Sequence, residues 1–182
     1  MPSPNHDFRK SPFPIQQQLA RLGWGIFWAV FGRLSPRPFH GWRALCLRLW
    51  GAGIGPGCRI YPGAVVWAPW NLQCGERSCV ADGAELYNPA PIILGARAVI
   101  SQGAYICTAS HDYEKLSFPL VAKPITIGAD AWVGARAIVL PGCEIGAGSV
   151  IGAGSVVTRS TPEWSVCAGN PCRVIKERYT RS

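Results

Sequence analysis

Between Ile127 and Val157 the sequence returns to the same residue type at every sixth position: Ile127, Val133, Val139, Ile145, Ile151, Val157. Glycine follows four of these, as Gly128, Gly134, Gly146 and Gly152. A small residue stands four positions after each: Ala131, Ala137, Cys143, Ser149, Ser155 and Thr161. This period fits neither the turn of a helix nor the alternation of an ordinary strand. Short hexapeptide repeats mark a parallel β-helix, whose coils hydrogen-bond only to their neighbours. Aliphatic residues would stack inside it, with glycine and small residues at corners that need positive φ or close packing.

The repeat can be followed backwards. It starts at Ile54 and runs through Ile60, Val66 and Leu72, then slips by two to Cys74, Val80 and Leu86. A second slip of two leads to Leu94, Ile100 and Ile106, and a larger break follows from Asp112 to about Pro124. Three hexads close one triangular coil, so residues 54–162 make about five coils with one loop over 112–124. The fold predicted is an all-β solenoid preceded by a helical segment over residues 1–53 and followed by a basic segment over 163–182. In that last segment Asn170-Pro171 reads as a turn, with a strand or last helix beyond it.

The chain carries 21 Gly and 16 Pro in 182 residues, too many for a helical bundle. Its formal charge of +8 asks for an anionic partner: nucleic acid, phospholipid head groups or a phosphorylated small molecule. The basic residues gather towards the two ends without the regular aromatic interleaving of a nucleic-acid groove, so no nucleic-acid partner is assigned. Eight cysteines show no CxxC pair, and Cys58 and Cys143 occupy the small-residue slot of the repeat. They read as free thiols of a cytoplasmic protein.

Ahead of the repeat, Ile15, Leu19, Leu22, Ile26 and Val30 follow helical spacing, with Trp24, Phe27, Trp28 and Phe31 on the other faces. Arg21, Arg33 and Arg37 flank this run, which is too short to span a bilayer. Such a helix fits two settings: peripheral contact with a membrane through residues 15–34, or packing on its own domain or a neighbouring subunit. A second helix, with Trp42, Leu45, Cys46, Leu49 and Trp50 on one face, suits a cap for the open end of the solenoid.

Several motifs resemble the hexapeptide-repeat acyltransferases, and among them most of all the colanic-acid-type acetyltransferases of bacterial exopolysaccharide synthesis. They are Ser35-Pro-Arg-Pro with Gly41-Trp42-Arg43, Ile60-Tyr61-Pro62, Trp67 through Asn71 and Tyr87-Asn88. Further on come Ser101 through Tyr105, Thr108 through Tyr113 and Ala168-Gly-Asn-Pro171, so the resemblance covers about residues 15 to 178. It implies a left-handed parallel β-helix, a homotrimer with active sites between subunits, acetyl-CoA as donor and a sugar or lipid-linked saccharide as acceptor. The reaction implied is direct acyl transfer with a histidine base and no metal.

His111 is the candidate base. Of three histidines, His6 stands in the polar N-terminal tail and His40 follows a Pro-Phe turn, while His111 sits where the repeat breaks. An imidazole suits proton removal from a hydroxyl near neutral pH; the alternative is a histidine that only bonds its own loop. Asp112 could hold the tautomer, as could a backbone carbonyl, or could merely cap a turn. A backbone N–H near Gly134 or Ala135 would receive the oxyanion.

By the resemblance, Trp132 would line the pantetheine path, and Gly134 and Ala153 would offer main-chain contacts. Thr158, Arg159, Arg173 and Lys176 would meet the adenine and phosphates, Lys176 having a solvated basic tail as its alternative. Asp82 and Asn88, on the coil before His111, could bind sugar hydroxyls, and Tyr105 could stack on the sugar or equally pack in the wall. Ala81 stands where galactoside enzymes carry a sugar-binding asparagine, so the reading does not extend to galactosides.

Other classes fit less well. A γ-type carbonic anhydrase needs three metal histidines, and only His111 lies in the repeats. A nucleotidyltransferase fusion needs an α/β domain ahead of the solenoid. A noncatalytic trimeric scaffold, and a serine- or xenobiotic-type acetyltransferase, stay open.

Overall fold

The computed structural model describes residues 11–179; residues 1–10, with His6 and most of the polar tail, and residues 180–182 lie outside the described residues. Short strands stack into three flat faces of a triangular prism. The first face carries Gly53–Ile54, Leu72–Cys74, Ile92–Leu94, Ile125–Ile127 and Glu144–Ile145. The second carries Arg59–Ile60, Cys79–Val80, Val99–Ile100, Trp132–Val133, Val150–Ile151 and Ser165–Ala168, and the third Val65–Val66, Glu85–Tyr87, Tyr105–Cys107, Ile138–Val139 and Val156–Val157. All pairings within these sets are parallel, and they make five complete coils and part of a sixth.

The period of six is visible directly as the core. Ile60, Val80, Ile100, Val133, Ile151 and Cys167 stand in one register column, and Val66, Leu86, Ile106, Val139 and Val157 in another. All are buried, as are the small residues that immediately precede the same strands, such as Ala98, Ala131 and Ser149. The small residues therefore lie inside the prism rather than at its corners, filling the narrow section beside the single inward aliphatic of each two-residue strand. The corners are made differently. A Cβ on Gly128 would lie 2.5 Å from the Ala147 amide nitrogen, and one on Gly134 2.5 Å from the Ile151 carbonyl oxygen, so these glycines allow coils to approach. The positive φ angles fall two residues later, at Asp130 (58°) and Arg136 (57°).

The departures from period all occur at one corner, where the third face passes to the first. Between the first two coils the extra residues form a 3₁₀ turn, Pro69–Asn71. Between the third and fourth coils they form an antiparallel hairpin, in which Ala109–His111 pairs with Ala122 back to Leu120. The predicted loop over 112–124 thus contains the second strand of the hairpin, Leu120–Ala122. At the far end the second face continues past Pro162 into Ser165–Ala168, and Arg173–Glu177 adds an antiparallel edge strand after the turn at Asn170-Pro171.

Two helices precede the prism. α1 (Ile15–Phe27) runs on as a π-helix over Trp28–Arg33, and α2 spans His40–Leu49. α2 packs on the first strands of the first and second faces and so covers the open end. α1 lies against the third face of the first coil. The Trp24 indole N–H donates to the Val66 carbonyl (2.7 Å) and that of Trp28 to the Ala64 carbonyl (3.0 Å). The linker between the helices is tied by Arg43, whose buried guanidinium donates to the carbonyls of Ile60 (2.6 Å), Pro36 (2.8 Å) and Arg37 and to the Ser35 hydroxyl (2.8 Å). This network accounts for the Ser35-Pro-Arg-Pro and Gly41-Trp42-Arg43 motifs, and His40 is part of it: its Nδ1 stands 2.9 Å from the Ile60 carbonyl oxygen.

Candidate active site

His111 ends the first strand of the hairpin and is exposed to solvent. Its Nδ1 lies 2.8 Å from the Phe118 carbonyl oxygen. A carbonyl can only accept, so Nδ1 carries the proton and Nε2 is left as the basic nitrogen. The imidazole also stacks on the Phe118 ring, with centroids 4.8 Å apart and planes 14° from parallel. Phe118 holds a positive φ of 46°, unusual for an aromatic residue. Its N–H donates to the Lys115 carbonyl (2.9 Å), and the Asp112 N–H to the Pro119 carbonyl (3.0 Å), which closes the hairpin turn. One residue thus fixes both the tautomer and the plane of the imidazole, and nothing in the sequence signalled it.

Asp112 does not do this. Its carboxylate meets the Lys115 ammonium at 3.1 Å and accepts from the Glu114 N–H at 3.2 Å. The Lys115 hydrogen bond, supported by Glu114, holds this carboxyl below the usual carboxylate range. Asp112 is a turn cap, because a side chain this short is captured by the amide two residues on.

The proposed acceptor residues part company. Asn88 is completely buried: its Nδ2 donates to the Ala68 carbonyl (2.7 Å) and its Oδ1 accepts from the Ala68 N–H (2.9 Å). It clamps the corner where the repeat slips and has no polar atom left for a sugar. Asp82 is similarly engaged, accepting from the Gly63 N–H (2.8 Å) and pairing with Arg37 (2.7 Å). Tyr105 is different. It stands half-buried on the outer side of the third face, in register with Glu85, on the strand that leads into the hairpin. Burial, then the Cys107 thiol beside it, pushes its phenol well above the usual tyrosine range, so it stays a neutral donor and acceptor.

The proposed donor residues gather on the second face and at the far end. The Trp132 indole N–H donates to the Ser101 hydroxyl of the preceding coil (2.7 Å), which lays the ring against the face while half of it stays exposed. Trp132, Val150, Val166 and Lys176 share one register column, so the backbones of Trp132 and Lys176 are about 14 Å apart along the face at ~4.8 Å per strand. Arg159 and Arg173 line one small pocket with Thr161 and Cys172. Thr158 and Ala153 are exposed nearby. The Gly134 N–H is already spent on the Ile151 carbonyl (2.8 Å), so Gly134 serves coil packing rather than a ligand. The Ala135 N–H donates to no backbone carbonyl among the described residues. Among those residues no group of three or more His, Cys, Asp or Glu could hold a metal ion.

A parallel β-helix of six-residue sides, interrupted by one histidine-bearing hairpin, defines the class: a hexapeptide-repeat transferase. Residues 124–159 match the family model described as bacterial transferase hexapeptide (six repeats). The chain is 43% identical over 156 residues to the putative colanic acid biosynthesis acetyltransferase WcaF of Escherichia coli (strain K12), which covers 84% of this chain and 86% of that one. It belongs to the hexapeptide-repeat acetyltransferases. Among solved structures, a maltose O-acetyltransferase from Clostridium difficile 630 superposes with a TM-score of 0.82 at 27% identity, over 92% of this chain and 90% of that one. A galactoside acetyltransferase in complex with coenzyme A gives 0.84 at 25% identity, over 93% and 86%.

Proposed function

We propose that the protein moves the acetyl group of acetyl-CoA onto a hydroxyl of a sugar during exopolysaccharide synthesis, with His111 as general base. The observation that carries this reading is the His111 Nδ1 to Phe118 carbonyl bond, which leaves Nε2 basic on an exposed hairpin. Nε2 takes the proton of the attacking sugar hydroxyl as its oxygen adds to the thioester carbon. Collapse of the tetrahedral intermediate expels the coenzyme A thiolate, and the proton returns to that sulfur. The Ala135 N–H is the donor suited to the oxyanion.

Coenzyme A runs along the second face, its pantetheine arm on Trp132 and its phosphates towards Arg159, Arg173 and Lys176. Those three cations near the end of the solenoid suit phosphate groups. Tyr105 contacts the acceptor. The WcaF likeness supports the exopolysaccharide acceptor. Trp132 and the His111 hairpin belong to different parts of one prism, which supports a working site formed between copies of a homotrimer. Eight free thiols favour the cytoplasmic side, where thiols stay reduced.

The test is acetyl transfer by His111→Ala against a panel of nucleotide-linked and polyprenyl-linked sugars, with mass spectrometry of the products. The variant should lose roughly 10²-fold or more in kcat while keeping its oligomeric mass, as expected for loss of a general base. Turnover near the wild-type rate would remove His111 from the chemistry.

A further inference from the structure

The helical stripe identified in the sequence is not the side of α1 that packs. Trp24 and Trp28 face the solenoid and are buried, whereas Ile15, Leu19, Leu22 and Ile26 are 66%, 60%, 62% and 61% exposed. At about 100° per residue these four project opposite the tryptophans. The stripe continues through Val30, while the half-exposed Phe31 stacks on Phe27 beside it. There the Trp42 indole N–H donates to the Phe31 carbonyl (2.8 Å), which brings in the exposed face of α2 with Leu45 and Leu49. Large apolar side chains exposed together on two neighbouring helices, rather than scattered singly, mark an interaction surface.

The charge around it has one sign. Residues 8–75 contain eight Lys and Arg and no Asp or Glu. The rest of the chain has ten of each sign, so the whole formal charge of +8 belongs to the segment that carries the helices. No described helix is long and apolar enough to cross a membrane. A helix pinned on one side by two indoles and apolar on the other, with the exposed Arg33 and Arg48 close by, matches the surface of an anionic bilayer.

We propose that the outer faces of α1 and α2 dock this protein on an anionic lipid bilayer, with Leu19, Leu22, Ile26 and Val30 entering the head-group boundary. This orientation bears on the acceptor. α1 sits at Val66 on the third face, and the His111 hairpin leaves the same face two coils further on, about 10 Å at ~4.8 Å per coil. A docked protein therefore carries the His111 hairpin only two coils from the element that meets the lipid, which suits an acceptor saccharide carried on a membrane lipid. That last step rests on the proposed O-acetyl transfer; the docking does not.

The experiment is flotation of the full-length protein with phosphatidylglycerol-rich vesicles and with phosphatidylcholine vesicles, for wild type and for Leu22→Glu/Ile26→Glu. Both substituted side chains are exposed and lie outside the catalytic residues, so melting temperature, oligomeric mass and acetyl transfer to a soluble sugar should be unchanged. Wild type should float with the anionic vesicles and release with salt, and the variant should bind at least about tenfold more weakly. Equal binding by both proteins, or no binding of wild type to anionic vesicles, would overturn the proposal. A variant of altered oligomeric mass would assign the stripe to a subunit contact instead. Loss of acetyl transfer in His111→Ala with vesicle binding intact separates the two readings.

Discussion

At the scale of single residues, the hairpin makes two neighbouring side chains do different work. His111 was legible in the sequence because it stands where the period of six fails, and a period is something residue types alone can carry. Its orienting partner was not legible. Phe118 acts through a main-chain carbonyl and a left-handed backbone, neither of which a phenylalanine announces. Asp112 has the chemistry of a triad carboxylate, but its oxygens go to Lys115 and Glu114. The same holds for Asn88, suited to sugar by type and removed from it by burial. A direct consequence follows for Asp112→Asn. Loss of a carboxylate that holds a catalytic tautomer costs about 10⁴-fold; here kcat should stay within about threefold, since the Phe118 carbonyl remains. A steady-state assay showing a drop of roughly 10²-fold would transfer the orienting role to Asp112.

At the scale of elements, the strands were written plainly in the repeat and the two helices in their apolar spacing, but the packing face of α1 was not. Each strand is only two to four residues long in the solenoid, yet its inward positions are fixed by the column of aliphatics above and below. α1 carries two apolar sides, and period alone cannot rank them. The tryptophan side wins the protein contact because each indole buries a large ring and also finds a carbonyl for its N–H. The linker between α1 and α2 depends on a residue of equally specific geometry. Arg43 is fully buried and satisfies three carbonyls and a hydroxyl of the linker and the first coil at once. Arg43→Ala should cost about 3 kcal/mol, or roughly 6–12 °C in melting temperature, because those acceptors are left unpaired. Calorimetry of the variant is the check. A melting point within a degree or so of wild type would mean that the motif serves something other than the linker.

At the scale of the whole molecule, the triangular section limits what one chain can do. Every insertion falls at the corner between the third and first faces, so the hairpin with His111 projects from that edge. Trp132, Lys176 and the pocket of Arg159 and Arg173 belong to the second face and the far end. A rigid prism cannot fold one of its edges onto another of its faces. If the base and the donor groove serve one reaction, a threefold assembly can supply the base from one copy and the groove from the next. The consequence is complementation. His111→Ala and Trp132→Ala proteins, each nearly inactive alone, should regain acetyl transfer after denaturation together and refolding. With random assortment of equal amounts, about a quarter of the subunit interfaces join an intact His111 to an intact Trp132. Recovered activity should therefore approach that fraction of wild type, at an oligomeric mass of three times the 19.6 kDa chain. Trimers of mixed composition that stay as inactive as their parents would place both groups in a site within one subunit.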